Sequence, residues 1–204
     1  MRPILILASA FIATSFGLPS ARAAAGGKDR TEGLIAAFKK VKTEGGKLVK
    51  QEKAANDRAF AELDDYFDFT TLTSKPIEPL ADKLTPEEAT RFKAKFRELI
   101  RLIAYANAGT AFRKAKLTLE PEVKKAARVA VPVKLRLEED DLDLTVEFHW
   151  ETVKGAWRIV DVLFDGDSLL KDYQNQIGKI VTKSGVPGLF KSLDNRRAEL
   201  EKGQ

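Results

Sequence analysis

The sequence predicts an α+β domain in which N- and C-terminal helices pack on one face of a four-stranded antiparallel meander. Three observations carry this expectation. Apolar residues recur at helical spacing on both flanks, the period changes to two between Lys114 and Leu163, and the clearest helix-start signal, Thr85-Pro86-Glu87-Glu88, lies ahead of that change.

The chain opens with Met1 and Arg2, an apolar run from Ile4 to Leu18, and Pro19-Ser20-Ala21-Arg22-Ala23, the pattern of a secretory signal peptide with a small-x-small processing site. Cleavage after Ala23 is expected, because an apolar run of about 15 residues falls short of the roughly 20 that span a bilayer. The chain has no Cys to take a lipid at the processing site, so the exported protein is expected to be unanchored, and it holds together without disulfides. Removing 23 of 204 residues leaves 181, enough for one domain with a core able to enclose something. The chain carries 35 basic and 30 acidic side chains, a net charge of +5, of which two Arg lie in the leader. Elsewhere Lys and Arg alternate with Glu and Asp, which argues against a nucleic-acid-binding face.

Ala24 to Arg30, small and polar, reads as a flexible lead-in to a single domain over residues 31–200. Leu34, Ile35, Phe38 and Val41 fall at helical spacing, Gly45-Gly46 interrupts them, and a more polar helical stretch follows from about Lys47 to Tyr66. Pro76 and Pro79 exclude a long helix between them. Thr85 as N-cap, Pro86 at the first helical position and Glu88 closing a capping box then start a helix that runs to about Gly109. Phe92, Phe96, Leu99, Ile100 and Ile103 form its apolar stripe.

Alternation begins with Leu117 and Leu119. It resumes in Val129, Val131, Val133, Leu135 and Leu137 up to the acidic turn Glu138-Glu139-Asp140-Asp141, in Leu142, Leu144, Val146, Phe148 and Trp150, and after Gly155 in Trp157, Ile159 and Leu163. Such alternation marks a sheet buried on one face only. Gly166-Asp167-Ser168 opens another helix, with Tyr173, Ile177 and Ile180 inward, ending near Gly185 before a last amphipathic piece beyond Pro187.

Catalytic chemistry finds little support. There is no Cys nucleophile and only one His, His149, which alternation places on the wet sheet face beside Phe148 and Trp150. No Gly-rich phosphate loop and no paired His at metal spacing occur. Glu138 to Asp141 with Asp143 lack the glycine and final Glu of a calcium loop, and read as a solvated hairpin tip. Asp161, Asp165 and Asp167 lie at a strand-to-helix junction, where an acid/base pair and a plain helix cap both remain open. No metal or cofactor is expected.

Three stretches in order resemble the MlaC family, periplasmic phospholipid carriers of the outer-membrane lipid-asymmetry, or toluene-tolerance, transport system. They are Tyr66-Phe67-Asp68-Phe69-Thr70 with Leu72; Leu84-Thr85-Pro86-Glu87-Glu88 with Arg91-Phe92, Phe96-Arg97-Glu98-Leu99-Ile100 and Tyr105; and Trp157-Arg158-Ile159-Val160-Asp161-Val162 with Gly166, Ser168-Leu169-Leu170, Tyr173, Gln176, Ile177 and Gly188-Leu189-Phe190. The chain departs from the family pattern at Ile77-Glu78-Pro79-Leu80, where a Gly and a Trp are usual, and at Gln174, where Arg usually follows the Tyr.

The resemblance implies an apolar cavity between the sheet and the helices that takes acyl chains and leaves the head group outside. The inward residues such a cavity draws on are Phe67, Leu72, Phe92, Phe96, Ile100, Ile103, Val131, Val133, Leu135, Val146, Phe148, Trp150, Tyr173, Ile177 and Ile180, although periodicity alone does not separate lining from core filling. It further implies a phospholipid or another apolar lipid such as a hopanoid as cargo, with an inner-membrane ABC transporter complex and an outer-membrane lipoprotein complex as partners. An enzyme or small-ligand binder using Asp161 or Asp165, and an adaptor with a filled core, are the competing readings.

Overall fold

A computed structural model describes residues 26–44 and 46–202. The expected signal peptide and its processing site after Ala23 lie outside the described residues. Helix α1, Gly27–Lys40, begins four residues earlier than expected. Residues 27–30, read as flexible, are helical because Gly27 and Thr31 are buried against the sheet, where the Thr31 hydroxyl donates to Gly27 O at 2.8 Å and accepts the Trp150 indole N–H at 3.0 Å. Two-residue strands β1, Thr43–Glu44, and β2, Lys47–Leu48, pair around the glycine interruption. Helix α2, Lys53–Asp64, follows.

Asp68 caps helix α3, Phe69–Ser74, accepting Thr70 N–H at 3.1 Å and the Thr71 hydroxyl at 2.5 Å. The proline segment Lys75–Leu80 is a 3-10 turn. Helix α4, Pro86–Ile100, carries the expected capping box, with Glu88 N–H donating to Thr85 Oγ1 at 3.2 Å and Thr85 N–H donating to Glu88 Oε2 at 2.9 Å. The helix does not stop at Gly109. It passes through a π-helical turn, Arg101–Tyr105, into α5, Ala106–Lys114. Gly109 serves a close crossing with α1, since a Cβ there would stand 3.0 Å from both Phe38 O and Val41 Cβ.

The sheet holds the four expected strands, the first of them only four residues long, and two short additions. Its strands are β3 (Lys116–Leu119), β4 (Val123–Lys125), β5 (Arg128–Leu137), β6 (Leu142–Val153), β7 (Ala156–Phe164) and β8 (Asp167–Ser168), all antiparallel, in the order β3-β5-β6-β7-β8, with β4 also on β5. A bulge shifts the β6–β7 register between His149 and Trp150, so that Trp150 faces Ile159 while Phe148 faces Val162. The extra residue inverts the later alternation of β7. Val162 and Phe164 therefore join the inner face, where Leu163 was expected. Helix α6, Leu169–Lys202, breaks at Gly185 (φ 67, ψ −178), a backbone state open essentially to glycine alone, and Pro187 restarts it.

The interior forms two apolar clusters. One joins α1, α2 and α5 to the sheet around Leu34, Phe38, Leu63, Phe112 and Trp150. The other, around Ile77, Phe92, Phe96, Ile177 and Leu189, lies among the proline turn, α4 and α6. The π turn accounts for the division. Its extra residue per turn rotates the apolar stripe, so α4 faces α6 while α5 faces the sheet.

Candidate functional site

Against the first cluster lies a cavity of about 280 Å³. Phe38 and Phe67 form one wall, and Ile103, Ala104, Asn107, Ala108, Ala111 and Phe112 of the π turn and α5 form the roof. Leu135, Leu144, Val146, Phe148, Val162 and Phe164 of the sheet make the floor, and Leu169 and Tyr173 of α6 close the side. None of these residues is charged. Asn107 and Phe164 are exposed, which places the mouth between α5 and the end of β7.

Each wall has a local cause. Phe67 is fixed because its segment bridges to β7: Asp68 N–H donates to Ile159 O at 2.9 Å and Ile159 N–H to Tyr66 O at 2.7 Å. Behind the roof, Tyr105 is fully buried between Phe38 and Phe67, at ring separations of 5.8 and 5.7 Å. Its hydroxyl donates to Asp64 Oδ1 at 2.9 Å, and Asp64 is also met by Arg97 at 2.8 Å and by Arg101 at 3.1 Å. Burial, with the Asp64 carboxylate beside it, pushes the Tyr105 phenol far above its ordinary range. Tyr173 stands edge-on to Phe96 at 5.0 Å and divides the cavity from the second cluster. Its phenol is also raised, by burial first and by Asp172 second.

Of the residues nominated from sequence, Phe67, Ile103, Leu135, Val146, Phe148 and Tyr173 meet at this cavity. Phe92, Phe96, Ile100, Ile177 and Ile180 are not part of its lining, because the π turn directs the α4 stripe toward α6. Val131, Val133 and Trp150 fill the solid core beneath α1, and Leu72 is buried on α3 away from the cavity. Sequence reasoning passed over Ala104, Ala108 and Ala111, whose helical spacing of small side chains leaves the roof hollow, and Val162 and Phe164, hidden by the bulge.

The competing acids are engaged elsewhere. Asp161, 6% exposed, accepts Val162 N–H at 2.9 Å, Leu170 N–H at 3.3 Å and the Ser168 hydroxyl at 2.6 Å, so it caps α6. Asp165 accepts Thr145 N–H at 2.9 Å at an exposed turn. Neither borders the cavity. His149, expected on the wet face, is instead buried at 8% exposure, with its Nε2 engaged by Glu147 at 2.5 Å and Asp161 opposite it in the sheet. No grouping of three or more His, Asp or Glu suited to a metal occurs among the described residues. Among those residues, no helix is long and apolar enough to cross a membrane.

Fold and cavity together set an antiparallel sheet against helices with an uncharged apolar hollow between them. A family model described as "MlaC protein" matches residues 34–195, and the chain belongs to the MlaC family. Among solved structures it is similar to a phospholipid-binding protein from Ralstonia solanacearum in complex with a phospholipid, with a TM-score of 0.63 and 22% identity over 85% of this chain and 96% of that one.

Proposed function

We propose that this protein is a periplasmic carrier that takes up a phospholipid by its acyl chains and shuttles it between an inner-membrane ABC transporter complex and an outer-membrane lipoprotein complex. The observation that carries the reading is the uncharged cavity, whose polar side chains are Asn107 and the Tyr173 phenol. Family membership and the phospholipid-bound relative support the same cargo class. The engagement of Asp161 and Asp165 by other groups favours carriage over catalysis.

Energetics suit a carrier. At about 0.8 kcal/mol per methylene, a chain of roughly 16 carbons gains about 13 kcal/mol over water, so escape into solvent is negligible. A bilayer offers the same gain, which leaves exchange with membranes nearly balanced and hands control to docking. The cavity, at about 280 Å³, is just under the roughly 300–1,000 Å³ of small-ligand pockets, so a two-chain lipid enters by parting α5 from the sheet.

The test is organic extraction and mass spectrometry of the protein purified from its native host. Stoichiometric phospholipid is expected. A hopanoid in its place would revise the cargo, and protein free of any lipid would end the carrier reading. Amino-terminal sequencing of the exported form, expected to begin at Ala24, tests the address.

A further inference from the structure

The end of the sheet that carries the cavity mouth differs from the rest of the surface. Leu142 and Phe164 are 47% and 38% exposed, large apolar side chains left uncovered. Both belong to the cavity's floor face: Leu142 lies two residues before the lining Leu144, and Phe164 pairs with Val146. Phe164 is itself part of the lining and Leu142 lies just beyond the lining Leu144, so the two mark an apolar lip at this end of the floor.

Around the lip the charge is reversed from that of the chain as a whole. The β5–β6 connection and the start of β6 place Glu138, Glu139, Asp140, Asp141 and Asp143 at the surface, and the β7–β8 turn and the start of β8 add Asp165 and Asp167. The two connections share one end of the sheet, since Asp165 N–H donates to Thr145 O and Thr145 N–H donates to Asp165 Oδ1, both at 2.9 Å. The cations paired with these acids are Lys114 on Glu139 at 2.6 Å, Lys116 on Glu138 at 2.5 Å, and Arg136 on Asp141 at 2.5 Å and Asp143 at 3.0 Å. Four of the seven carboxylates are thus paired, by three cations, and Asp140, Asp165 and Asp167 add acid beyond those pairs in a protein whose net charge is +5.

We propose that this lip docks a protein partner whose face has an apolar centre ringed by Lys and Arg. The proposal rests on the carrier reading, because the lip is the rim of the cargo cavity. An apolar lip at the mouth calls for an apolar cover, and the excess of carboxylates attracts a basic rim and steers its approach. The same excess opposes the anionic surface of a bilayer. It also opposes a second copy of this chain placed lip to lip, since a two-fold contact would set acid against acid.

The test places the photocrosslinker p-benzoylphenylalanine at position 142 of the full chain, in cells of the native host, with position 123 as control. Val123 is also 47% exposed but lies toward the opposite end of β5, opposite Ala130. The expected result is a protein adduct from position 142 and not 123, with Lys or Arg beside the linked apolar residue. The charge reversal D140K/D167K is expected to lower its yield about tenfold, and D140N/D167N to lower it less. Adducts only with lipid or with a second copy of the chain, no adduct at all, or a yield indifferent to charge reversal overturn the proposal. Lipid extracted from the same proteins separates the two readings: the charge variants keep their lipid if only docking is affected, whereas unaltered protein without lipid sinks the carrier reading instead.

Discussion

The Tyr105 hydroxyl donates to Asp64 Oδ1 at 2.9 Å, tying the π turn to the last residue of α2 directly behind the cavity wall. Tyr105→Phe removes one hydrogen bond from a carboxylate that keeps Arg97 and Arg101, and is expected to cost about 1–2 kcal/mol. Asp64→Ala leaves the phenol and the Arg101 guanidinium without their partner and is expected to cost more, about 3 kcal/mol. Thermal melts check both, at about 2–4 °C per kcal/mol for a domain of this size.

The same phenol sets a pH dependence. In the unfolded chain it ionises near its ordinary value of 10.0, whereas in the fold it holds its proton to higher pH. Its contribution to stability is therefore complete below about pH 10 and declines as pH rises above it, where the unfolded state alone releases the proton. Urea melts across the alkaline range are expected to fall more steeply for the unaltered protein than for Tyr105→Phe.

Filling the roof separates carriage from folding. Ala108→Leu and Ala111→Leu place isobutyl groups in the cavity, and each is expected to add up to about 2 kcal/mol of stability while lowering the lipid recovered per protein. Parallel melts and lipid extraction read both effects. An unchanged lipid content with the cavity filled would show that cargo sits elsewhere.

The Trp150 indole supplies a fourth measurement. Its N–H donates to Thr31 Oγ1 at 3.0 Å in a fully buried setting. Thr31→Val keeps the shape and removes the acceptor, so a loss of about 1–3 kcal/mol is expected, with lipid content unchanged because neither residue lines the cavity.

At the α1–α5 crossing, Gly109→Val drives a branched side chain against Phe38 O and Val41. The gain in helix propensity over Gly is below 1 kcal/mol, and overpacking costs about 1–3 kcal/mol, so the variant is expected to melt lower.

Long periodic elements were legible in the sequence. The capping box at Thr85, the alternation of β5 and β6 and the restart after Gly185 all act within a few residues of themselves, and such local signals survive folding unchanged. What stayed hidden has a common physical form. The π turn at Arg101–Tyr105 and the bulge opposite His149 are single-residue shifts of phase with no residue type of their own. The bulge brought Val162 and Phe164 into the lining, and the π turn left Phe92 and Phe96 facing α6. Ala104, Ala108 and Ala111 were overlooked for another reason: a hollow is made by the side chains that do not reach, and periodicity counts those that do.

The π turn leaves a single continuous rod serving two trades. Upstream of it, Phe92 and Phe96 are clamped in a solid joint with α6; downstream, the alanines of α5 span a vacancy. The downstream part is held as well, by Phe112 in the first cluster and by the Gly109 crossing with α1, so the rod is gripped on both sides of its span. A rod held that way is a bridge, and the space beneath it is part of the fold rather than a gap in it.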